Sequence, residues 1–227
     1  MLSRCVNAVE LPPLFAIGSR HYGVLLAASI ATLVCMALPS PWHMGTGLGF
    51  SLLVVLQIRL LHTEWIHRSL SLLFQLIGWL TLVGLWLWLL TPAELHSSGL
   101  PLTMLLIVLE LQAYPRLLHR LSWEQQVTGD VLNGALAGYI LLALLATLEV
   151  ALLESIDASS FHGLITLPEA GGVDGTASSI RQIPFINMAY FAIVTLTTLR
   201  YGDVVPFTPW ARLCAILILN AHLSIAD

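Results

Sequence analysis

Residues 189–206 carry the side chains of this chain whose types and spacing could do chemistry. They read Ala-Tyr-Phe-Ala-Ile-Val-Thr-Leu-Thr-Thr-Leu-Arg-Tyr-Gly-Asp-Val-Val-Pro and lie just before the last apolar run of the chain. Three threonine hydroxyls, a tyrosine, a glycine and an aspartate follow one another closely in this segment. The carboxylate of Asp203, together with the acids of the preceding loop, would raise the local concentration of cations.

Motifs of enzymatic chemistry are missing from the sequence. It contains no HExxH motif, no serine–histidine constellation, no phosphate-binding loop and no pair of inverted repeats with broken helices. The three cysteines are widely spaced, so they indicate neither a disulfide framework nor a zinc site. We therefore predict that the protein is not an enzyme and that it carries no cofactor. The cysteines are Cys5, Cys35 and Cys214.

The composition is that of a membrane protein. The chain has 227 residues, of which 57% are hydrophobic and 10% are charged, and its mean hydropathy is +0.86. A soluble domain has about 45–50% apolar and about 25% charged residues. Nine basic and thirteen acidic residues cannot supply a wetted surface for a chain of this length. The composition excludes a soluble enzyme, a disordered chain and a nucleic-acid-binding protein, and predicts a lipid bilayer as the partner.

Apolar runs of the length that crosses about 30 Å of hydrocarbon recur along the chain. They predict an all-α integral membrane protein with six transmembrane helices. The fourth run is expected to end by Tyr114, where Pro115 breaks or kinks the helix. Because 22 residues precede the first run, this run is predicted to be a membrane helix and not a removed signal peptide. The runs are Gly23–Leu38, Gly45–Leu61, Ser69–Leu90, Leu100–Tyr114, Val131–Leu153 and Pro209–Ala226.

Arginines flank alternate ends of these runs. Six lie in the N-terminus and in the gaps after the second and fourth runs, and none lies in the gaps after the first and third. The positive-inside rule then predicts a multi-pass protein of the plasma (cell inner) membrane with a cytoplasmic N-terminus. The segment Glu154–Arg181 lies outside in this topology, and its Gly, Ser and Asp content predicts a mobile loop. The six arginines are Arg4, Arg20, Arg59, Arg68, Arg116 and Arg120.

The hexapeptide Thr198-Leu-Arg-Tyr-Gly-Asp203 resembles the filter of potassium channels, Thr-Val-Gly-Tyr-Gly followed by Asp. Its place before the last helix, on the outer side, is also that of the pore loop of this family. The resemblance implies a tetrameric cation channel, in which stacked backbone carbonyls of four copies replace the water shell of K⁺. The residues that it implies are the filter Thr198, Leu199, Arg200, Tyr201 and Gly202, with Asp203 at the pore mouth and Thr195 and Thr197 on the pore helix. Potassium would bind the backbone carbonyls of Thr198, Leu199 and Tyr201 and the hydroxyl of Thr198.

The resemblance also implies a division of the chain into a sensor-like region and a pore region. In voltage-gated members the fourth helix carries arginine at every third position. Here Leu100–Tyr114 has no arginine and one acid, Glu110, so voltage has no charge in this helix to act on. We expect a channel that is not voltage-gated. The expected parts are the cytoplasmic N-terminus 1–22, the four-helix membrane domain 23–122 and the pore domain 131–227, with outer helix 131–153, extracellular loop 154–183, pore helix and filter 184–203 and inner helix 209–227.

Arg200 departs from the family pattern, because it stands where the first filter glycine belongs. A side chain at a left-handed position costs about 1–2 kcal/mol per subunit, and arginine adds a permanent charge beside a cation path. Three outcomes are open: a filter of low selectivity, a non-conducting pore, or a heteromer in which a partner subunit supplies normal filters. The alternative function is therefore a non-conducting or weakly selective channel-like subunit.

Polar residues inside the apolar runs are the last feature of the sequence. Glu110 is expected to be a neutral or paired glutamate that faces the helix bundle, or one near enough to the cytoplasmic end to reach water, in preference to a functional residue. Gln57 and Gln75 are expected to be hydrogen-bond partners between helices.

Overall fold

A computed structural model describes residues 19–37, 44–61, 68–90, 99–122, 128–157, 160–164, 185–199 and 201–226. The order of the elements in these residues is α1 (Ser19–Met36), α2 (Met44–Leu60), α3 (Arg68–Leu90), α4 (Leu100–Ser122), α5 (Gly129–Ile156), β1 (Phe161–His162), α6 (Phe185–Leu196), β2 (Val205–Pro206) and α7 (Pro209–Ala226).

Helix α5 occupies the centre of the molecule. It packs against α1 and α4 of the first four helices and against α6 and α7 of the predicted pore region, and α1 also contacts α6. Its buried residues include Gly134, Ala137, Gly138, Ala143 and Ala146, and small side chains of this kind let membrane helices approach closely. The first four helices form a series in which α1 packs on α2, α2 on α3 and α3 on α4. The helix that begins the predicted pore region therefore also supports the four helices before it.

Three helices of the described residues are long and apolar enough to cross a membrane, namely α3, α4 and α5. Helices α1, α2, α6 and α7 contain shorter apolar stretches. Only 28% of the most apolar stretch of α3 is buried. Large side chains such as Trp79 and Leu87 are exposed on this helix. The protein is thus a helical membrane protein, while the count of six spans stays a prediction.

The expectation that Pro115 breaks the fourth helix is wrong, because α4 continues through it to Ser122. Proline removes one backbone donor, but Pro115 lies on the exposed side of the helix. On the opposite side, Ala113 and Leu117 are fully buried, and this packing supports the helix across the missing hydrogen bond. The two arginines that follow Pro115 are consequently helical residues: Arg116 lies over the Phe74 ring at 4.1 Å from its centroid.

The boundary between the outer helix and the outer loop also differs from the prediction. Helix α5 extends beyond 131–153 at both ends, so Glu154 is a helical residue that is 6% exposed and not part of the loop. Two short strands follow, and they pair antiparallel with Phe161 opposite Pro206 and His162 opposite Val205. Residues 165–184, which make up most of the predicted mobile loop, lie outside the described residues.

The close packing of α5 predicts a size limit at Gly134. A Cβ atom at this position would lie 2.6 Å from Leu121 Cδ2 and 3.3 Å from the Tyr22 ring. Gly134→Leu should therefore lower the free energy of unfolding by about 1–3 kcal/mol, because extra atoms must displace both neighbours. Thermal unfolding in detergent measures the effect. Gly129→Leu is the control, since nothing lies within 4 Å of a Cβ there; equal midpoints for the two variants would contradict this account of α5.

Candidate functional site

The predicted pore helix is α6, and its C-terminal end is closed by two backbone hydrogen bonds. The Thr198 amide donates to the Thr195 carbonyl at 3.1 Å, and the Leu199 amide donates to the Val194 carbonyl at 3.1 Å. Thr198 has φ +58°. This pattern, with one left-handed residue and two nested bonds, is the Schellman motif that ends many helices, where glycine is the usual left-handed residue. The chain thus leaves the helix at the first residue of the predicted filter.

The residues predicted to form the filter lie at the surface of the single chain. Leu199 is 57% exposed and Tyr201 is 65% exposed. Gly202 has φ +80°, a value that a glycine adopts without the penalty of a side chain. Thr195 is half-buried, whereas Thr197 is exposed and its hydroxyl donates to the Ile193 carbonyl at 2.8 Å. Arg200 lies outside the described residues, and the roles predicted for all these residues stay predictions.

Tyr190 on α6 holds the segment that follows the filter. Its ring stacks on the Tyr201 ring, with 6.3 Å between the centroids and 6° between the planes. Its hydroxyl donates a hydrogen bond to the Asp203 carboxylate, and this bond lowers the pKa of Asp203 below its usual value. Asp203 also accepts a bond from the Val204 amide at 3.0 Å. The carboxylate at the predicted pore mouth is thus ionised and fixed in position.

Strand β1 ties the end of α5 to the chain beyond the filter. Its pairing with β2 is extended by a bond from the Phe207 amide to the Ser160 carbonyl at 2.8 Å. Gly163 has φ +91°, and a Cβ atom there would lie 1.9 Å from the Asp203 carbonyl oxygen. Only glycine fits so close to another backbone. The start of the outer loop therefore packs directly on the segment that carries Asp203.

Side chains of α5 and α6 contact Phe161 of β1. The Phe161 ring meets the Phe191 ring of α6 edge to face, with 5.1 Å between the centroids. The Glu154 carboxylate of α5 accepts a hydrogen bond from the Phe161 amide at 3.2 Å. Glu154 was predicted as a loop acid at the pore mouth. It is instead a buried residue at the end of the longer α5, where its carboxylate bonds to the backbone of β1.

Sequence reasoning missed the roles of Tyr190, Glu154 and Gly163. Tyr190 lies in a run of apolar residues in the pore helix. Its hydroxyl was the only feature of the sequence that could have indicated a hydrogen bond. Two-residue strands leave no periodic pattern, so β1 could not be found from hydrophobicity. Gly163, which follows Phe161 and His162, was the one local sign that the backbone here approaches another segment closely.

A second polar contact joins α5 to α7, away from the filter. The Cys214 thiol donates to the Glu149 carboxylate, with 3.7 Å between sulfur and oxygen. A cavity of about 290 Å³ lies beside this pair, and its other lining residues are apolar or aromatic. Among the described residues no group of three or more His, Cys, Asp or Glu side chains could hold a metal ion.

The contact at Gly163 predicts a local effect of a small substitution. Gly163→Ala should separate β1 from the segment around Asp203, because the methyl group would overlap the Asp203 carbonyl and the left-handed φ adds about 1–2 kcal/mol. Hydrogen exchange at the Phe207 amide, which is bonded to Ser160, should become faster. Gly138→Ala serves as the control, since its nearest contact would be an ordinary 3.6 Å. Unchanged exchange in Gly163→Ala would rule out this close approach.

The Tyr190 bond predicts a shift in the titration of Asp203. Tyr190→Phe removes the donor, so the pKa of Asp203 should rise toward its usual value of about 3.9. Because the folded-state pKa is the depressed one, the bond stabilises the fold above the unfolded pKa and is lost as the pH falls through the folded pKa. Carbon NMR of the labelled carboxyl follows the titration. Tyr114→Phe on α4 should leave it unchanged, and the same titration in wild type and Tyr190→Phe would refute the bond.

Comparison with known proteins gives two similarities. Residues 138–225 match the model of a family described as an ion channel, a range that starts within α5 and ends in α7. Over 50 residues the chain is 40% identical to two-pore potassium channel 5 of Arabidopsis thaliana, a match that covers 22% of this chain and 12% of that protein. No solved structure matches. These similarities confirm the prediction that the protein is not an enzyme, and they are those of a potassium-channel-like ion channel of the membrane.

Proposed function

We propose that the chain is a subunit of a potassium-channel-like cation channel, in which residues 198–203 of four copies surround the ion path. The observation that carries this proposal is the arrangement of α5, α6 and α7, with a short helix and an irregular segment between two apolar helices. The ion channel match covers the same elements. In this proposal the protein lies in the plasma (inner) membrane, with the N-terminus in the cytoplasm and residues 154–183 outside.

Exposed apolar surface around the segment supports assembly. Tyr201, Phe207 and Trp210 are each more than 60% exposed in the single chain. Irregular backbone is tolerated at membrane depth only where it is covered by protein or lines water. The described residues 197–199 and 201–203 are exposed within one chain, and Val204 is half-buried. Further copies of the chain, related by a closed rotation, would supply protein on one side and a water-filled axis on the other.

The end of α6 supports a cation as the permeant species. The C-terminus of a helix carries partial negative charge, and α6 ends at Leu196, two residues before the predicted filter begins at Thr198. The Asp203 carboxylate, fixed by Tyr190 and Val204, adds negative charge beyond the filter. Thr198 and Gly202 both have positive φ, so the backbone turns twice within five residues. Turns of this kind are needed for successive carbonyls to point to one side.

Voltage is not the proposed stimulus for opening. From Leu100 to Tyr114 helix α4 has no basic residue. The two arginines that follow are held near its C-terminal end, Arg116 over the Phe74 ring and Arg120 by a hydrogen bond to the Leu60 carbonyl. Basic side chains that are held at one end of a helix move little charge through the membrane field.

A second candidate function rests on Arg200. Four arginines near the axis would oppose cations: at an effective dielectric of about 20, two unit charges 8 Å apart repel by roughly 2 kcal/mol. A homotetramer could then be a weakly selective or non-conducting channel-like subunit. Alternatively, a partner subunit with normal filters could complete a heteromeric pore.

Flux of rubidium into liposomes that contain the purified protein tests the proposal. The wild type should show weak, poorly selective flux. Arg200→Gly should raise it more than tenfold, because it removes both the left-handed penalty of about 1–2 kcal/mol per subunit and four positive charges. Arg212→Gln is the control, since it withdraws an exposed positive charge of α7 without changing the filter.

The outcomes separate the candidates. Flux that rises in Arg200→Gly and not in Arg212→Gln supports the filter. No flux in either variant, from protein that is folded and inserted, would exclude a conducting homomer. Strong potassium selectivity in the wild type, unchanged by Arg200→Gly, would show that Arg200 does not limit the filter.

A further inference from the structure

A carboxylate and an amide meet inside the four-helix region. Glu110 of α4 and Gln57 of α2 are both fully buried. The Gln57 Nε2 atom lies 2.9 Å from each carboxylate oxygen of Glu110. This confirms the expectation that both residues face the bundle and that Gln57 bonds between helices. The contact crosses the interior, because α2 packs on α1 and α3 whereas α4 packs on α3 and α5.

No positive charge balances Glu110 within the part of the chain that the structure describes. Its contacts there are the two hydrogen bonds from Gln57, which is neutral. Val54 on the helix of Gln57 and Leu109 next to Glu110 in the chain are fully buried members of the hydrophobic core. An unpaired carboxylate in such surroundings carries an effective penalty of several kcal/mol. Protonation removes this penalty.

The titratable side chains on the helices around Glu110 have other positions or partners. Arg116 lies over Phe74, Arg120 bonds to the Leu60 carbonyl, and Glu149 contacts Cys214. Residues 71–90 of α3 contain no titratable side chain. The other titratable groups with described side chains on α1, α2, α4 and α5 are Tyr22, Cys35, Arg59, Tyr114, His119, Asp130, Tyr139 and Glu154, and none of them hydrogen-bonds to Glu110.

The count of hydrogen-bonding atoms also favours the neutral acid. Gln57 Oε1 is buried and has no hydrogen-bond partner among the described residues. An ionised Glu110 has no hydrogen to offer this oxygen. A protonated Glu110 can donate its O–H to Oε1 and accept from Nε2, once the amide turns about its last torsion, which is soft for glutamine. The neutral pair then satisfies the orphaned atom, and the ionised pair does not.

We propose that Glu110 and Gln57 form a proton-binding site in the middle of the four-helix region, and that release of the proton weakens the contact between α2 and α4. The proton lies on a Glu110 oxygen and is shared with Gln57 Oε1. Release to water requires that α2 and α4 separate enough to hydrate the carboxylate. Because α4 packs along α5, such a separation alters the support of the helix on which α6 and α7 rest. The site is independent of the proposed filter.

Infrared spectroscopy of the protein in lipid near pH 7 is the direct test. The wild type should show the carbonyl stretch of a protonated carboxylic acid that is absent from Glu110→Gln. The same band should persist in Glu149→Gln, which removes another acid of a membrane helix. If the difference between wild type and Glu110→Gln is instead that of an ionised carboxylate, the proposal is wrong.

The pH dependence of unfolding gives a second readout. A proton that is held in the folded state and released on unfolding makes the ratio of folded to unfolded protein fall about tenfold per pH unit. This fall begins above the usual carboxyl pKa of about 4.3 and ends at the pH where the folded protein also releases the proton. Glu110→Gln should remove this part of the slope, and Asp130→Asn should keep it. Equal slopes in wild type and Glu110→Gln would overturn the proposal. If Glu110→Gln fails to fold, the double variant Gln57→Leu, Glu110→Leu removes both polar partners and should show the same loss of slope.

Discussion

The packing of α5 against both the four-helix region and the predicted pore region is the constraint on which the other helices depend. About two-thirds of the most apolar stretch of α5 is buried, compared with 28% of the corresponding stretch of α3. Small residues make this possible, since at Gly134 even one added carbon would meet Leu121 and Tyr22. The first and fourth helices pack on α5, and so do the pore helix and α7. A change in the four-helix region can therefore reach the candidate ion path through one shared helix.

The segment beyond the filter is positioned from three directions. Tyr190 holds Asp203 from the pore helix, β1 holds it through the backbone at Gly163, and Glu154 holds β1 from the end of α5. These contacts lie within one chain, so the single subunit already fixes the carboxylate at the candidate mouth. One chain does not bury Leu199 and Tyr201, which are mostly exposed. The proposed function places further copies there.

The long helices were predictable because an apolar run in lipid must satisfy its backbone bonds internally. That Gln57 bonds between helices and that Glu110 faces the bundle were predictable for a related reason, because polar side chains in such runs need partners. That they bond to each other was not predicted. The passage of α4 through Pro115 was not predictable, because it depends on the burial of Ala113 and Leu117 by neighbouring helices. The strand pair also escaped prediction, since a contact between distant segments determines it. The left-handed Thr198 escaped because glycine is the usual residue at that position of the local Schellman motif. In the candidate site the roles of Asp203 and Gly202 stay predictions, and the sequence did not point to Tyr190 or Gly163, which contact Asp203.

The number of chains in the purified protein tests the central claim most directly, because one copy of residues 198–203 cannot surround an ion. Native mass spectrometry from mild detergent or lipid nanodiscs measures this number. The account predicts a dominant species of about four times the chain mass of 24.8 kDa, formed by closed rotational contacts. A protein that is folded and remains a monomer in every lipid and detergent would contradict it.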